Sequence, residues 1–129
     1  MNSERRILVV DDEQPVRDLL TRALARLGCS VQGAASAAEA LEHMKDQPAD
    51  IVFLDLKLPD MAGLDLCREM RRRWPWAILI AVTGYVSLFE LLDCREAGFE
   101  DYFVKPVDLK EFLAAAESAC RKVARWKHR

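Results

Sequence analysis

The stretch Ile7-Leu8-Val9-Val10-Asp11-Asp12-Glu13 places four consecutive apolar residues directly before three acids. Just downstream, Val16, Leu19, Leu20, Ala23, Leu24 and Leu27 recur at the i, i+3, i+4 spacing of a buried helical face, and Gly28 closes that pattern. The opening unit is therefore a strand followed by a helix.

That unit recurs along the chain. A weak strand is expected around Val31, and Ser36 with Glu39 predicts a capping box for a second helix carrying Ala40, Leu41 and Met44 inward. Ile51 to Leu54 reads as the third strand and Leu64 to Met70 as part of a third helix. Ala77 to Val82 reads as the fourth strand, followed by Leu88, Leu91 and Leu92 before Gly98. Tyr102 to Val104 is the fifth strand, and Asp108 with Glu111 caps a last helix whose inner face is Leu109, Phe112, Leu113, Ala116, Cys120 and Val123. Strands that read as continuous apolar runs are covered on both faces, which predicts a parallel sheet between two helical layers. The expected fold is an α/β, (βα)5 doubly wound sheet of flavodoxin-like strand order 2-1-3-4-5.

Length and composition agree with one domain. The chain has 129 residues and a net charge of -2, with 51% hydrophobic and 31% charged residues, the balance of a globular protein without a global bias toward nucleic acid. The expected domain spans 1–129, with its core at about 5–124. The basic stretch at 121–129 reads either as a helix end or as a junction to an output domain not present in this chain. The longest apolar runs are far too short to span a bilayer and no signal-like stretch follows the first residues, so a cytoplasmic location is expected. Cys29, Cys67, Cys94 and Cys120 form no CxxC pair and read as reduced, mostly packed residues. His43 and His128 read as surface residues without a zinc ligand set.

In an open parallel sheet the ligand site lies beyond the carboxyl ends of the strands. There the sequence places Asp11-Asp12-Glu13, Asp55, Thr83-Gly84 and Lys105-Pro106. Carboxylates gathered at one point repel unless a cation lies between them, and an oxygen-only set with few protein ligands suits Mg²⁺, which recruits phosphate as a further ligand. Lys105 then supplies a second positive charge, Thr83 a hydroxyl and Gly84 a backbone open to close approach. Asp55, at the end of the central strand, is the expected nucleophile. Each feature alone has a plainer use: Asp11 or Asp12 as a helix cap, Asp55 as a strand-end acid, Thr83-Gly84 as a turn, Lys105-Pro106 as a helix entry. Their coincidence at one sheet edge favours the chemical reading.

These residues resemble the response-regulator receiver family of two-component signalling from Ile7 to about Val123. The resemblance rests on Ile-Leu-Val-Val-Asp11-Asp12-Glu, Phe-Leu-Asp55-Leu-Lys-Leu-Pro59-Asp-Met-Ala-Gly63, Ala-Val-Thr83-Gly84 and Tyr102-Phe-Val-Lys105-Pro106. It implies Asp55 as phospho-acceptor, Asp11, Asp12, Asp55 and the Lys57 backbone carbonyl as Mg²⁺ ligands, and Thr83 with Lys105 as the pair that grips the phosphoryl group. It further implies a cis bond before Pro106 and Tyr102 as the aromatic switch. The implied donor is a phosphohistidine of a sensor histidine kinase or phosphotransfer domain, docking near Pro15, Val16 and the Pro106-Val107 loop. The implied output is a changed surface on the fourth helix, fifth strand and fifth helix, for a downstream partner or a homodimer. Lys57 and Tyr85 stand where the family tunes hydrolysis of the acyl phosphate. Neither offers an acid or amide to position water, so slow self-dephosphorylation and no other catalytic turnover are expected. The apolar cluster Leu88, Phe89, Leu91 and Leu92 reads as a wide buried stripe or as a partner surface.

Rival functions fit less well. A haloacid-dehalogenase-type phosphatase needs a second acid two residues after its nucleophile, where Lys57 stands. A flavodoxin-like FMN carrier would have its phosphate repelled by Asp11-Asp12-Glu13, and the glycine fingerprint of a dinucleotide fold is missing. A receiver-shaped module that is never phosphorylated remains the alternative with every residue in place.

Overall fold

The structure is a computed structural model that describes residues 5–84 and 87–127. Tyr85, His128 and the side chain of Phe89, singled out above, lie outside the described residues. Five strands alternate with five helices: β1 (Arg6–Val10), α1 (Gln14–Ala25), β2 (Ser30–Ala34), α2 (Ala37–Asp46), β3 (Ile51–Leu54), α3 (Gly63–Arg73), β4 (Ile78–Thr83), α4 (Leu88–Ala97), β5 (Asp101–Val104) and α5 (Leu109–Lys127). All pairings are parallel, in the expected order β2-β1-β3-β4-β5.

Alternation along each strand divides the apolar residues between two cores. Leu8, Val10, Val52, Leu54, Leu79 and Ala81 face α2 and α3 and meet Met44, Leu66, Cys67 and Met70 there. Ile7, Val9, Ile51, Phe53, Ile80 and Val82 face the other way and meet Leu20 and Leu24 of α1 and Phe112, Ala116 and Val123 of α5. The rings of Phe53 and Phe112 stack 4.6 Å apart at this second interface. The three inner strands are almost wholly buried, which is why their sequences are continuous apolar runs.

The edge strands depart from that expectation. β2 is mostly half-buried, and on β5 Tyr102 and Val104 are exposed, because an edge strand has a neighbour on one side only. Leu19, counted with the inward face of α1, is half exposed; it sits at the rim of the apolar stripe centred on Leu20, Ala23, Leu24 and Leu27. On α4 the burial is supplied by Cys94 and Ala97, whereas Leu88 and Leu92 are exposed at 69% and 54%. Leu88 and Leu92 thus lie outside the inner stripe, while Leu91 is half-buried. His43 is half-buried on α2 rather than fully at the surface.

Helix ends follow local chemistry. The Ser36 hydroxyl accepts from the Glu39 N–H as expected, but the Glu39 carboxylate turns to the Ala35 N–H at 3.3 Å, so the reciprocal half of the capping box is displaced by one residue. A complete box forms instead at α4, between Ser87 and Glu90. The Glu111 N–H donates to the Asp108 carboxylate ahead of α5, as its spacing indicated. Arg71 ties three segments together, donating to the carbonyls of Pro75, Ala77 and Gly98. The basic end of α5 is helical to Lys127, with Lys122 paired to Glu100 and Lys127 to Asp50. Among the described residues no helix is long and apolar enough to cross a membrane.

Candidate functional site

The carboxyl ends of β1, β3, β4 and β5 open on one edge of the sheet and bring Asp11, Asp55, Thr83 and Lys105 together. The register that pairs Val10 with Leu54 puts Asp11 beside Asp55, and the Asp55 N–H donates to the Val10 carbonyl at 2.9 Å. One oxygen from each of Asp11, Asp12 and Asp55 lies within 4.8 Å of the others. Asp11 and Asp55 are buried, and Asp12 is exposed at the mouth.

Lys105 reaches into this group from the end of β5. Its Nζ lies 2.8 Å from Asp11 Oδ2, 2.9 Å from Glu13 Oε1 and 3.1 Å from Asp55 Oδ2. Burial alone would favour the neutral amine, but the ammonium's contacts with these three acids win and raise its pKa above the ordinary value. The opposite balance holds at Asp55. Desolvation raises its pKa, outweighing the Lys57 N–H at 3.1 Å and the Lys105 ammonium, which favour the anion; the charge of Asp11 adds to the rise.

Two buried oxygens lack a hydrogen-bond partner among the described residues, Asp11 Oδ2 and Thr83 Oγ1. The first lies within ion-pair distance of Lys105 yet without the alignment of a hydrogen bond, so the contact is chiefly Coulombic. The orphaned Thr83 hydroxyl is costly when dry and points to a ligand that would satisfy it. Hard oxygen donors with a cluster of negative charge fit Mg²⁺. The residues that can hold it are Asp11, Asp12 and Asp55, and the Lys57 carbonyl belongs to the same turn.

The remaining residues expected at the site lie around this pocket. The Lys105-Pro106 bond is cis. Gly84 is exposed, and an added Cβ would meet nothing nearby, so this position is open rather than sterically reserved for glycine. Tyr102, beside Ala81 in the sheet register, is 44% exposed.

Several supporting roles were not foreseen from sequence. Glu13 is the third acid on Lys105, a role that only the fold reveals. The Arg17 guanidinium donates to the Asp11 carbonyl at 2.7 Å and pins the first acidic turn from α1. Asp60 accepts from the N–H groups of Ala37 and Ala38, so the loop after Asp55 caps α2. Gly63 donates its N–H to the Leu56 carbonyl, and any Cβ there would overlap the Asp55 carbonyl oxygen and the Leu56 Cα. Glycine at 63 is thus needed for α3 to begin directly against the turn that carries Asp55.

Comparison with known proteins places this geometry in context. A family model described as the response regulator receiver domain matches residues 7–117. Response regulator protein PilR of Pseudomonas aeruginosa is 36% identical over 117 residues, covering 88% of this chain and 26% of that protein. Response regulator MprA of a Mycobacterium species is 36% identical over 119 residues, covering 92% of this chain and 52% of that protein. The chain therefore spans between a quarter and about half the length of these relatives. Among solved structures, a CheY-like response regulator receiver domain protein from Methanospirillum hungatei superimposes with a TM-score of 0.90 at 32% identity, covering 95% of this chain and 98% of that one.

Proposed function

This chain belongs to the response regulator receiver domain family of two-component systems, and on that footing we propose that it accepts a phosphoryl group on Asp55 from a phosphohistidine of a sensor histidine kinase or phosphotransfer domain. The observation that carries the proposal is the convergence of Lys105 on Asp11, Glu13 and Asp55 at 2.8–3.1 Å, beside an unpartnered Thr83 hydroxyl. Mg²⁺ held by Asp11, Asp12, Asp55 and the Lys57 carbonyl would supply the charge neutralisation that lets an anionic phosphoryl group approach.

The protein's own groups account for the rest. Asp55 is held at the pocket floor by the Lys57 N–H on one oxygen and Lys105 on the other, an orientation that limits the side chain's rotation before attack on phosphorus. Lys105 is already charged and half-buried at the spot where the transferred oxygens would arrive, so it would stabilise them without reorganisation. Thr83 Oγ1, without a partner among the described residues, can donate its proton to the same group. Its movement toward a phosphoryl group would vacate space behind it. Tyr102, now exposed on the neighbouring strand, is the ring placed to follow. Such a change reaches the face formed by α4, β5 and α5, where Leu88, Leu92, Tyr102 and Val104 are exposed. We read that face as the docking surface for a downstream partner or a second copy. Nucleic acid would be engaged only through an output domain, and the setting is cytoplasmic. Pro106 and Gly84 shape the loops at the pocket mouth, near which the donor histidine would enter.

Intact mass after incubation with acetyl phosphate tests this reading. The expected result is a gain of one phosphoryl group that needs Mg²⁺ and is lost on chelation and in Asp55→Asn. Absence of any gain under all conditions would reduce the domain to an unphosphorylated binding module. Once formed, the label is expected to decay slowly, because Lys57 brings no carboxylate or amide to orient water; loss within seconds of donor removal would contradict that expectation.

A further inference from the structure

Away from the carboxylate pocket, two thiols meet. Cys29 precedes β2 and Cys120 lies on the sheet-facing side of α5, 91 positions apart in sequence, yet their Sγ atoms are 3.8 Å apart. A disulfide requires sulfurs about 2.05 Å apart, so the pair needs to close by only about 1.8 Å. Both are free cysteines; Cys29 is half-buried and Cys120 is buried. An open recess lined by Arg5, Leu27, Glu117, Cys120 and Arg121 leads to this position from solvent, and the Arg5 side chain lies beside the Cys120 thiol. The other two cysteines are placed differently. Cys67 and Cys94 are both buried, and the Cys67 thiol is directed to the Ala97 carbonyl at 3.4 Å.

We propose that Cys29 and Cys120 form a reversible intramolecular disulfide when the domain meets a hydroperoxide. Cys29, the less buried of the two residues, reacts first. Its thiolate displaces the far oxygen of the peroxide, the O–O bond breaks, and the departing alkoxide or hydroxide takes the proton the thiol has shed, leaving a sulfenic acid on Cys29. The Cys120 sulfur then forms the S–S bond as the S–O bond breaks, and the hydroxyl leaves with the Cys120 proton as water. In sum, two thiols and one hydroperoxide give one disulfide, one alcohol or water from the peroxide, and one further water. Each sulfur gives up one electron and the peroxide oxygens take up both. A dithiol reductant reverses the step by exchange. Burial pushes the Cys120 thiol up to about 11, consistent with its acting second, as the resolving sulfur. The bond would fasten the entry of β2 to α5, a helix that also contributes to the proposed signalling face.

The test is alkylation and peptide mapping of the whole protein under non-reducing conditions after brief treatment with hydrogen peroxide. The expected result is loss of two of the four alkylatable thiols, a mass lower by two hydrogens, a crosslinked peptide pair containing residues 29 and 120, and full recovery with dithiothreitol. Cys29→Ser and Cys120→Ala, each checked for native circular dichroism, should both abolish the crosslinked pair. Retention of all four thiols in the natural protein, a bridge between Cys67 and Cys94, or oxidation that yields only intermolecular dimers or sulfinic acids would overturn the proposal.

Discussion

Asp55 sits in a contest between burial and its neighbours, and burial prevails. An acid whose folded pKa is raised contributes stability that is fully present below its unfolded value of about 3.8 and is lost as pH rises through the folded pKa. At neutral pH without Mg²⁺ the ionised Asp55 therefore costs stability. Asp55→Asn keeps the shape, leaves Lys105 paired with Asp11 and Glu13, and should raise the urea midpoint at pH 7 while leaving it nearly unchanged near pH 3.5. A lower midpoint at pH 7 would show that the Lys105 contact outweighs the desolvation. The acids, Thr83 and Lys105 could be read from the sequence because each directly follows an apolar run. Arg17 could not, since a surface charge one turn into a helix looks the same whether it faces solvent or the pocket, and the pairing of Glu13 with Lys105 depends on the fold.

At the scale of elements, the loop after β3 couples the acceptor to two helices. Gly63 starts α3 in contact with the Asp55 and Leu56 backbone, with no room for a methyl group. Gly63→Ala should cost about 2–3 kcal/mol in chemical denaturation and impair phosphorylation along with it, as backbone overlap in a packed site forces a shift. Asp60 caps α2 from the same loop. The N–H groups of Ala37 and Ala38 lower its pKa, so its contribution is present above the unfolded value and is lost as pH falls through the depressed folded value. The stability gap between the natural protein and Asp60→Ala should then be constant from pH 7 to about 5 and shrink below about 4; a gap that persists unchanged at pH 3 would refute the cap as an ionic one. Periodicity alone revealed the helices, and local motifs revealed some of their caps. A cap supplied from 23 residues away has no local signature.

For the whole molecule, the hydrophobic pattern marked β1, β3 and β4 as strands buried on both faces, and the order followed from right-handed crossovers between five strand-helix units. At α4 the pattern left a buried stripe and a partner surface both open, and the structure puts Leu88 and Leu92 outside, Leu91 half-buried, and Cys94 and Ala97 inside. Apolar content marks burial only where something covers the helix, and the outer side of α4 is uncovered. The two situations should separate experimentally. Leu66→Ala, at a fully buried position on the inner face of α3, should cost about 2–5 kcal/mol, whereas Leu92→Asp should change stability by less than about 0.5 kcal/mol. A large loss for Leu92→Asp would mean that this side of α4 is packed within the domain and does not serve as a docking surface.

The central claim is that Asp55, the buried acid at the end of β3, and neither Asp11 nor Asp12 after β1, receives the phosphoryl group. Borohydride reduction of the protein after treatment with Mg²⁺ and acetyl phosphate, followed by peptide sequencing, converts the acyl phosphate to a homoserine at the residue that carried it. Homoserine at position 55 is the predicted result. Homoserine at position 11 or 12, with Asp55 intact, would contradict the assignment.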